Sequence, residues 1–258
     1  MTLIENWKSH CIDIGLCALD IFATADVKIT EQGFADPTFL ALTLLSRTLS
    51  NLKGVTILLD ARRIIEARTI TRCCLENLYW TVGLAEDGSE FVKRMRDDEL
   101  SHKKALGQAL FSPDYDLDQP IEERLRELMR NLNKTVTANK MLNPKSVASI
   151  REDFKKTYIF YAQLSSDSAH PSVTALNRYV VSGKKGEAPG FDTDPVIKST
   201  EIEETYEYLS MACLGVCVAV NQIIGGTRGG EKLNAIAERH TELSVASRGS
   251  TETKTPVA

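Results

Sequence analysis

The chain has 258 residues, of which 43% are hydrophobic and 26% charged, and its formal net charge is −4. This is the composition of a globular protein with a substantial core, and the lack of a basic excess argues against broad nucleic-acid binding, although it allows a local basic groove. The best membrane candidate, residues 209–224, is shorter than the roughly 20 residues that a transmembrane helix needs. The first ten residues lack the basic start and apolar run of a signal peptide. We therefore expect a cytoplasmic protein that makes no contact with a membrane.

Six cysteines all lie inside apolar helical segments, and none has the spacing of a metal site. The adjacent pair Cys73 and Cys74 points about 100° apart on a helix, which suits neither a shared zinc ion nor a mutual disulfide. The sequence therefore predicts structural thiols, with no metal and no cofactor. The six are Cys11, Cys17, Cys73, Cys74, Cys213 and Cys217.

Helical periodicity dominates the first third of the chain. A first helix is predicted over residues 2–23. Asp36 followed by Pro37 is an N-cap followed by proline at the first helical position, which predicts the start of a second helix. A third helix over residues 62–84 is apolar nearly all round, as expected of the central helix of a bundle.

The pattern remains helical further along, with proline and glycine marking the boundaries. Gly88 is predicted to begin a fourth helix that ends near residue 111, and Pro120 begins a fifth, strongly charged helix. Asn143 begins a helical stretch to about residue 168, and Pro171 interrupts the chain shortly after it. The last long helix is predicted over residues 199–224.

Two segments do not fit the helical pattern. Residues 182–198 are rich in glycine, proline and aspartate and are predicted to form an irregular loop. Beyond residue 226 come more glycines and a helix-compatible patch, and residues 244–258 have almost nothing to bury, so we expect a flexible C-terminal tail over residues 227–258. The sequence therefore predicts an all-α bundle of about seven helices over residues 1–226, followed by this tail.

The predicted third helix carries a charged stripe. Arg68, Arg72 and Glu76 are four residues apart and share one helix face. One interpretation is an arginine pair and a carboxylate that face a polar pocket and bind an anion. The alternative is an Arg72–Glu76 ion pair with Arg68 beside it at the helix surface.

The fourth predicted helix holds Asp98 and His102, also four residues apart and near the apolar face. A buried carboxylate beside an imidazole fixes the tautomer and raises its basicity, as a general base requires. The alternative is a hydrogen-bonded or partly solvated pair at the end of the apolar stripe.

A third feature lies in the segment YIFYAQLSSDSAHPS. Tyr161, Ser165 and Ser168 share a helix face, and His170 follows just before Pro171. The imidazole is therefore expected at a helix junction, where it could serve as a functional group. The alternative is a capping and hinge motif in which His170 is solvated.

These features resemble a widespread, uncharacterised family of bacterial helical proteins. The resemblance rests on Arg72 and Glu76 in IIEARTITRCCLENLYW and on the later Ser165, His170-Pro171-Ser172 junction, and it spans about residues 36–224. The family supplies positions rather than a mechanism.

A looser similarity is to the HEPN helical superfamily, many of whose members are toxin or phage-defence ribonucleases. These enzymes use Arg-x(4 to 6)-His without a metal, and the string from Arg96 to His102 has this form. The similarity implies a HEPN-like fold and a metal-independent ribonuclease that acts on RNA. In that enzyme His170 or His102 would be the acid or base, and Arg72 or Arg68 would stabilise the charge on the phosphorane.

Two other functions remain open from the sequence. The protein could be a non-catalytic module that binds a small anionic ligand or a partner protein through its polar cluster, or a structural protein, and either could be a homodimer. Convergence of Arg72, Glu76, Asp98, Ser165 and His170 on one accessible pocket would favour a functional site.

Overall fold

The computed structural model describes residues 2–28, 30–112, 115, 117–135, 141–183, 188–195 and 197–252, and most of these are helical. The predicted all-α fold is confirmed. In chain order, the helices and strands are α1 (Leu3–Thr24), α2 (Pro37–Asp60), α3 (Ile64–Leu110), α4 (Gln119–Thr135), α5 (Pro144–Ala148), α6 (Glu152–Lys155), α7 (Tyr158–Leu164), α8 (Val173–Leu176), β1 (Val180–Val181), β2 (Gly190–Phe191), α9 (Ser199–Ile223) and α10 (Leu233–Glu252). A π-helical turn, Ser165–Ala169, extends α7, and β1 pairs antiparallel with β2.

The predicted helix starts follow from capping chemistry. Asp36 accepts hydrogen bonds from the backbone N–H groups of Thr38 and Phe39, and Pro37 occupies the first turn of α2. Asn143 caps α5 by accepting from the Ser146 N–H at 2.9 Å. Both starts are confirmed.

The core lies where α3 packs between α2 and α9. Leu75 and Tyr79 on α3 are fully buried, whereas Trp80 is only partly buried. The predicted boundary at Gly88 appears as a kink within α3, because Gly88 has φ 49° and ψ −123°. This conformation is open to glycine and strained for any residue with a Cβ.

The prediction of a single helical stretch over residues 143–168 is wrong. It is divided into α5, α6 and α7, with non-helical residues between them. Ser149 caps the end of α5, and its hydroxyl donates to the Lys145 carbonyl at 2.8 Å. Serine that bonds to nearby backbone in this way competes with continuation of a helix.

The prediction of a flexible tail is also wrong over most of its length, because residues 228–252 form a short 3₁₀ turn and α10. α10 packs on α1 and α9. It buries Leu233, Ile236 and Leu243. Gly229 permits a close contact between the turn and α1, since a Cβ on it would lie 2.3 Å from the Asp20 backbone. Residues 253–258 of the predicted tail lie outside the described residues.

The described helices include none that is both long and apolar enough to span a membrane. All six cysteines are free thiols, and Cys73 alone among them is not fully buried. Within the same part of the chain, no three or more His, Cys, Asp or Glu side chains are grouped as metal ligands would be.

Candidate functional site

The predicted stripe on α3 faces α7 and the π-helical turn, and it forms two adjoining polar groups. The first, which we call the Arg72 cluster, consists of Arg72, Glu76, Tyr161 and Ser165. The second, the ion-pair network, consists of Arg68, Asp167, Arg178, Glu201 and Glu204.

In the Arg72 cluster, one guanidinium nitrogen, Nη1, donates to both Glu76 and the Tyr161 hydroxyl. The distance to Glu76 Oε1 is 3.0 Å, and the Tyr161 hydroxyl itself donates to the same oxygen at 2.9 Å. The guanidinium carbon also lies 5.1 Å from the centre of the Tyr161 ring. A cation held by hydrogen bonds and by a ring face is fixed in position before any ligand arrives.

The environment of Tyr161 raises the pKa of its hydroxyl. Burial is the largest cause, followed by the hydrogen bond to Glu76 and the negative charge of that carboxylate, both of which disfavour the phenolate. The hydroxyl therefore stays protonated and remains a donor at neutral pH.

Two polar atoms of the Arg72 cluster have unused hydrogen-bonding capacity. Arg72 Nε is buried and has no hydrogen-bond partner among the described residues. Ser165 Oγ lies close enough to Tyr161 to lower the pKa of that hydroxyl, yet it is also buried and makes no hydrogen bond of regular geometry in the described part of the chain. A buried polar atom without a partner costs about 1–3 kcal/mol, so such atoms are uncommon in folded proteins.

The ion-pair network centres on Arg68, whose side chain is 2% exposed. Its Nε lies 2.7 Å from Asp167, and its Nη1 lies 2.7 Å from Glu204. Of the second alternative, the Arg72–Glu76 ion pair is present, but the placement of Arg68 at the helix surface is wrong. A buried guanidinium requires carboxylate partners, and these come from the π-helical turn and from α9.

Arg178 completes the network on the other side of Asp167. It donates to Asp167 and to Glu201, the latter at 2.6 Å. Burial alone would lower the pKa of Arg178, but its hydrogen bonds to these two carboxylates raise the pKa above its usual value. Asp167 thus joins α3 to the segment that follows α8. Its two ion pairs hold the π-helical turn in place.

The network contains two guanidinium groups and three carboxylates, so it carries one net negative charge. A cavity of about 570 Å³ lies beside the network. It is lined by Asp167, Arg178 and Glu201, and also by Lys198 and Asp192. The carboxylates at its wall disfavour an anion there.

The other predicted site residues lie apart from these two groups. His170 follows the π-helical turn, where it is exposed, and its imidazole makes no hydrogen bond or ion pair with the described residues. Asp98 and His102 lie beyond the kink of α3, with 3.6 Å between Asp98 Oδ1 and His102 Nε2. The histidine side chain is 62% exposed, so the pair fits the partly solvated alternative and not the buried one. Asp98 instead accepts from the Leu142 N–H at 2.7 Å.

Convergence is therefore partial. Arg72, Glu76, Tyr161 and Ser165 come together, and Arg68 adjoins them. Sequence reasoning missed Asp167, Arg178, Glu201 and Glu204. The sequence pattern that could have identified two of these residues is on α9. There Glu201 and Glu204 are three residues apart on the face that also buries Thr205 and Tyr208.

Comparison with known proteins agrees with the predicted uncharacterised family. A family model described as "Family of unknown function (DUF5677)" matches residues 38–188, which is more than half of the chain. The match includes the Arg72 cluster, Asp167 and Arg178, but not Glu201 or Glu204. No curated protein and no solved structure matched the chain. The chain belongs to this family of unknown function, DUF5677.

Proposed function

We propose that this protein is a non-catalytic binding module that recognises a small anionic ligand at the Arg72 cluster. The observation that carries the proposal is the buried Arg72 Nε, a charged donor that has no partner among the described residues. A guanidinium offers five N–H donors, and Nη1 accounts for the contacts of Arg72 with both Glu76 and Tyr161. Ser165, beside the same tyrosine, offers a further donor.

The available groups define the chemistry of the ligand. Donors need an acceptor, and the strongest hydrogen bonds to a guanidinium come from carboxylate or phosphate oxygens. The Arg72 side chain is 20% exposed and Glu76 is 28% exposed, so one side of the cluster faces solvent, while Arg72 Nε and Ser165 Oγ lie beneath that surface.

The charge of the surroundings favours a small ligand over a nucleic acid. Arg72 and Glu76 compensate each other, and the adjoining network carries one net negative charge. A polyanion such as RNA binds mainly through an excess of cations. A small carboxylate or phosphate is instead held by a few directed hydrogen bonds.

Binding is favoured over catalysis by the position of the histidines. A general base must be oriented toward the proton that it removes. His170 and His102 are both exposed, and among the described residues the one polar partner of either imidazole is Asp98, 3.6 Å from His102. The HEPN-like ribonuclease with a role in defence stays a prediction.

Isothermal titration calorimetry with acetate, succinate, inorganic phosphate and pyrophosphate tests the proposal. At least one of these anions should bind the wild-type protein, and Arg72→Gln should weaken binding by about tenfold or more, which corresponds to 1.4 kcal/mol. Arg94→Gln is the matched control, because Arg94 is also on α3, bonds a carboxylate, Asp87, and lies 5.0 Å from an aromatic ring. It should bind like the wild type.

An equal loss of anion affinity in Arg72→Gln and Arg94→Gln would contradict the proposal. So would a wild-type protein that binds none of the four anions. The same protein should be incubated with total RNA beside His170→Ala. Cleavage that disappears in that variant would favour the ribonuclease instead.

A further inference from the structure

Buried Trp7 and His10 meet the half-buried His240 where α1, α9 and α10 join. The rings of His10 and His240 are 5.8 Å apart, and Trp7 contacts both, with ring centres 6.0 Å from His10 and 5.4 Å from His240. His240 Nδ1 lies 3.0 Å from the Ser210 hydroxyl of α9. These rings join α10 to the two helices beneath it.

His10 is placed where an imidazolium is disfavoured. Its side chain is fully buried, and neither ring nitrogen has a hydrogen-bond partner among the described residues. Burial, followed by the charges of His240 and Arg239, lowers the pKa of His10 to about 4. Burial also lowers the pKa of His240. Both rings are therefore neutral at pH 7.

Among the described residues, the carboxylates that line the cavities beside the two rings are already paired with arginines. Asp13 on α1 borders the same cavity as His10, but its carboxylate is bonded by Arg239 at 2.5 Å. On the other side of His240, Glu86 is paired with Arg151. Further charged and titratable groups on these helices are Asp20, which is paired with Lys232, and the Cys17 thiol, which donates to the Gly229 carbonyl. Glu207 of α9 lies one turn before Ser210, and Glu238 and Glu242 of α10 are exposed.

We propose that mild acid releases α10 from α1 and α9, because protonation of His10 and His240 puts two cations 5.8 Å apart beside Arg239. With α10 undocked, both rings reach water and bind protons freely. The buried faces of Leu233, Ile236 and Leu243 are then exposed. The remaining helices keep the α2–α3–α9 core, so release is confined to one element.

The direction of the pH effect follows from linkage. The pKa of His10 is lower in the docked state, about 4, than its ordinary value of 6.5, so the undocked state binds more protons in acid. Docking is therefore fully stabilised above pH 6.5 and is weakened as the pH falls toward 4. From His10 alone, the ratio of undocked to docked protein should rise about 30-fold between pH 8 and pH 5.

Amide hydrogen exchange on the full chain measures this ratio helix by helix. The protection factors of α10 should fall about 30-fold between pH 8 and pH 5. Those of α3 should change far less. In His10→Leu, which removes the titrating group from an apolar site, the fall should be at least several-fold smaller. The exposed-histidine control His170→Gln should behave as the wild type.

The proposal would be overturned by any of three results. These are an equal fall in the α10 protection factors of His10→Leu and the wild type, unchanged α10 protection at pH 5, and a parallel fall in the protection factors of α3. A second measurement covers the case in which His10→Leu does not fold. Trp7 and Trp80 are the two tryptophans, so Trp80→Phe leaves Trp7 as the fluorescent reporter beside both histidines. Its emission should change with a midpoint between pH 4 and 6.5, and emission that stays constant over that range would also overturn the proposal.

Discussion

At the scale of single residues, the polar side of the bundle depends on Arg68. It is the one arginine of the ion-pair network that is fully buried, and it contacts carboxylates of two other elements, Asp167 and Glu204. Replacing one member of a buried pair leaves the other members charged and without their partner. The network therefore matters more for stability than any of the exposed ion pairs.

Arg68→Gln should lower the free energy of unfolding by about 3–5 kcal/mol. The control is Arg63→Gln, because Arg63 pairs with Asp194 at 2.8 Å with both side chains more than half exposed. That change should cost less than about 1 kcal/mol. Urea denaturation of the two variants checks the difference, and similar costs would show that the network contributes little.

Glu76→Gln should lower the pKa of Tyr161 toward its ordinary value. The carboxylate holds that pKa up, so its removal makes the phenolate easier to form. Ultraviolet titration of the tyrosines detects the change, and Tyr161→Phe assigns it. Glu90→Gln, which alters an exposed pair with Lys93, should leave the titration unchanged.

At the scale of elements, two glycines on neighbouring helices have opposite roles. Gly88 has a positive φ at the kink of α3, whereas Gly54 lies within α2, with open space where a Cβ would be. Gly88→Ala should destabilise the protein by about 1–3 kcal/mol. Gly54→Ala should stabilise it by about 0.5–1 kcal/mol. Thermal unfolding should therefore shift in opposite directions, and a shift in the same direction would contradict this assignment.

The docking of α10 can be tested with two nearby positions. Leu243 is 9% exposed and Val245 is 64% exposed. Leu243→Ala should cost about 2–3 kcal/mol, near the lower end for a buried leucine, whereas Val245→Ala should cost less than about 0.5 kcal/mol. Equal effects in denaturant titrations would return this segment to the flexible tail predicted from the sequence.

The elements that could be predicted are those specified by neighbouring residues. Asp36-Pro37, Asn143 and Gly88 act within a turn of their own positions, so their signals are visible in a single sequence. Arg68 and Glu204 are 136 residues apart, and their contact depends on how α9 packs on α3. α10 was missed for a similar reason, because Gly229 is recognisable as a contact residue only once Asp20 lies against it.

At the scale of the whole molecule, the cysteines are distributed through the core that joins α1, α3 and α9. Burial raises the pKa of Cys11, Cys17 and Cys217. Burial, followed by the charge of Glu76, also raises the pKa of Cys73, the one thiol that is not fully buried. Thiolates are the reactive form, so burial and the raised pKa both protect these thiols from reaction.

A thiol reagent at pH 8 should therefore react with the native protein only slowly, first at Cys73. All six thiols should react after unfolding in denaturant without reductant. The slow native rate should follow the unfolding rate as denaturant is added. Rapid reaction of two or more thiols in the native state would contradict the packed core.

The contact between the first and the last described helix affects how the chain is made. Trp7 on α1 donates to Ser247 on α10, 240 residues later, and α1 packs mainly on α9, α10 and the turn before α10. A ribosome adds about 5–20 residues per second, so α1 waits roughly 10–50 s for these partners. During that time the apolar face that carries Trp7, Cys11 and Ile14 is exposed in the nascent chain. Chaperone binding to the emerging chain would cover this face until synthesis reaches α10.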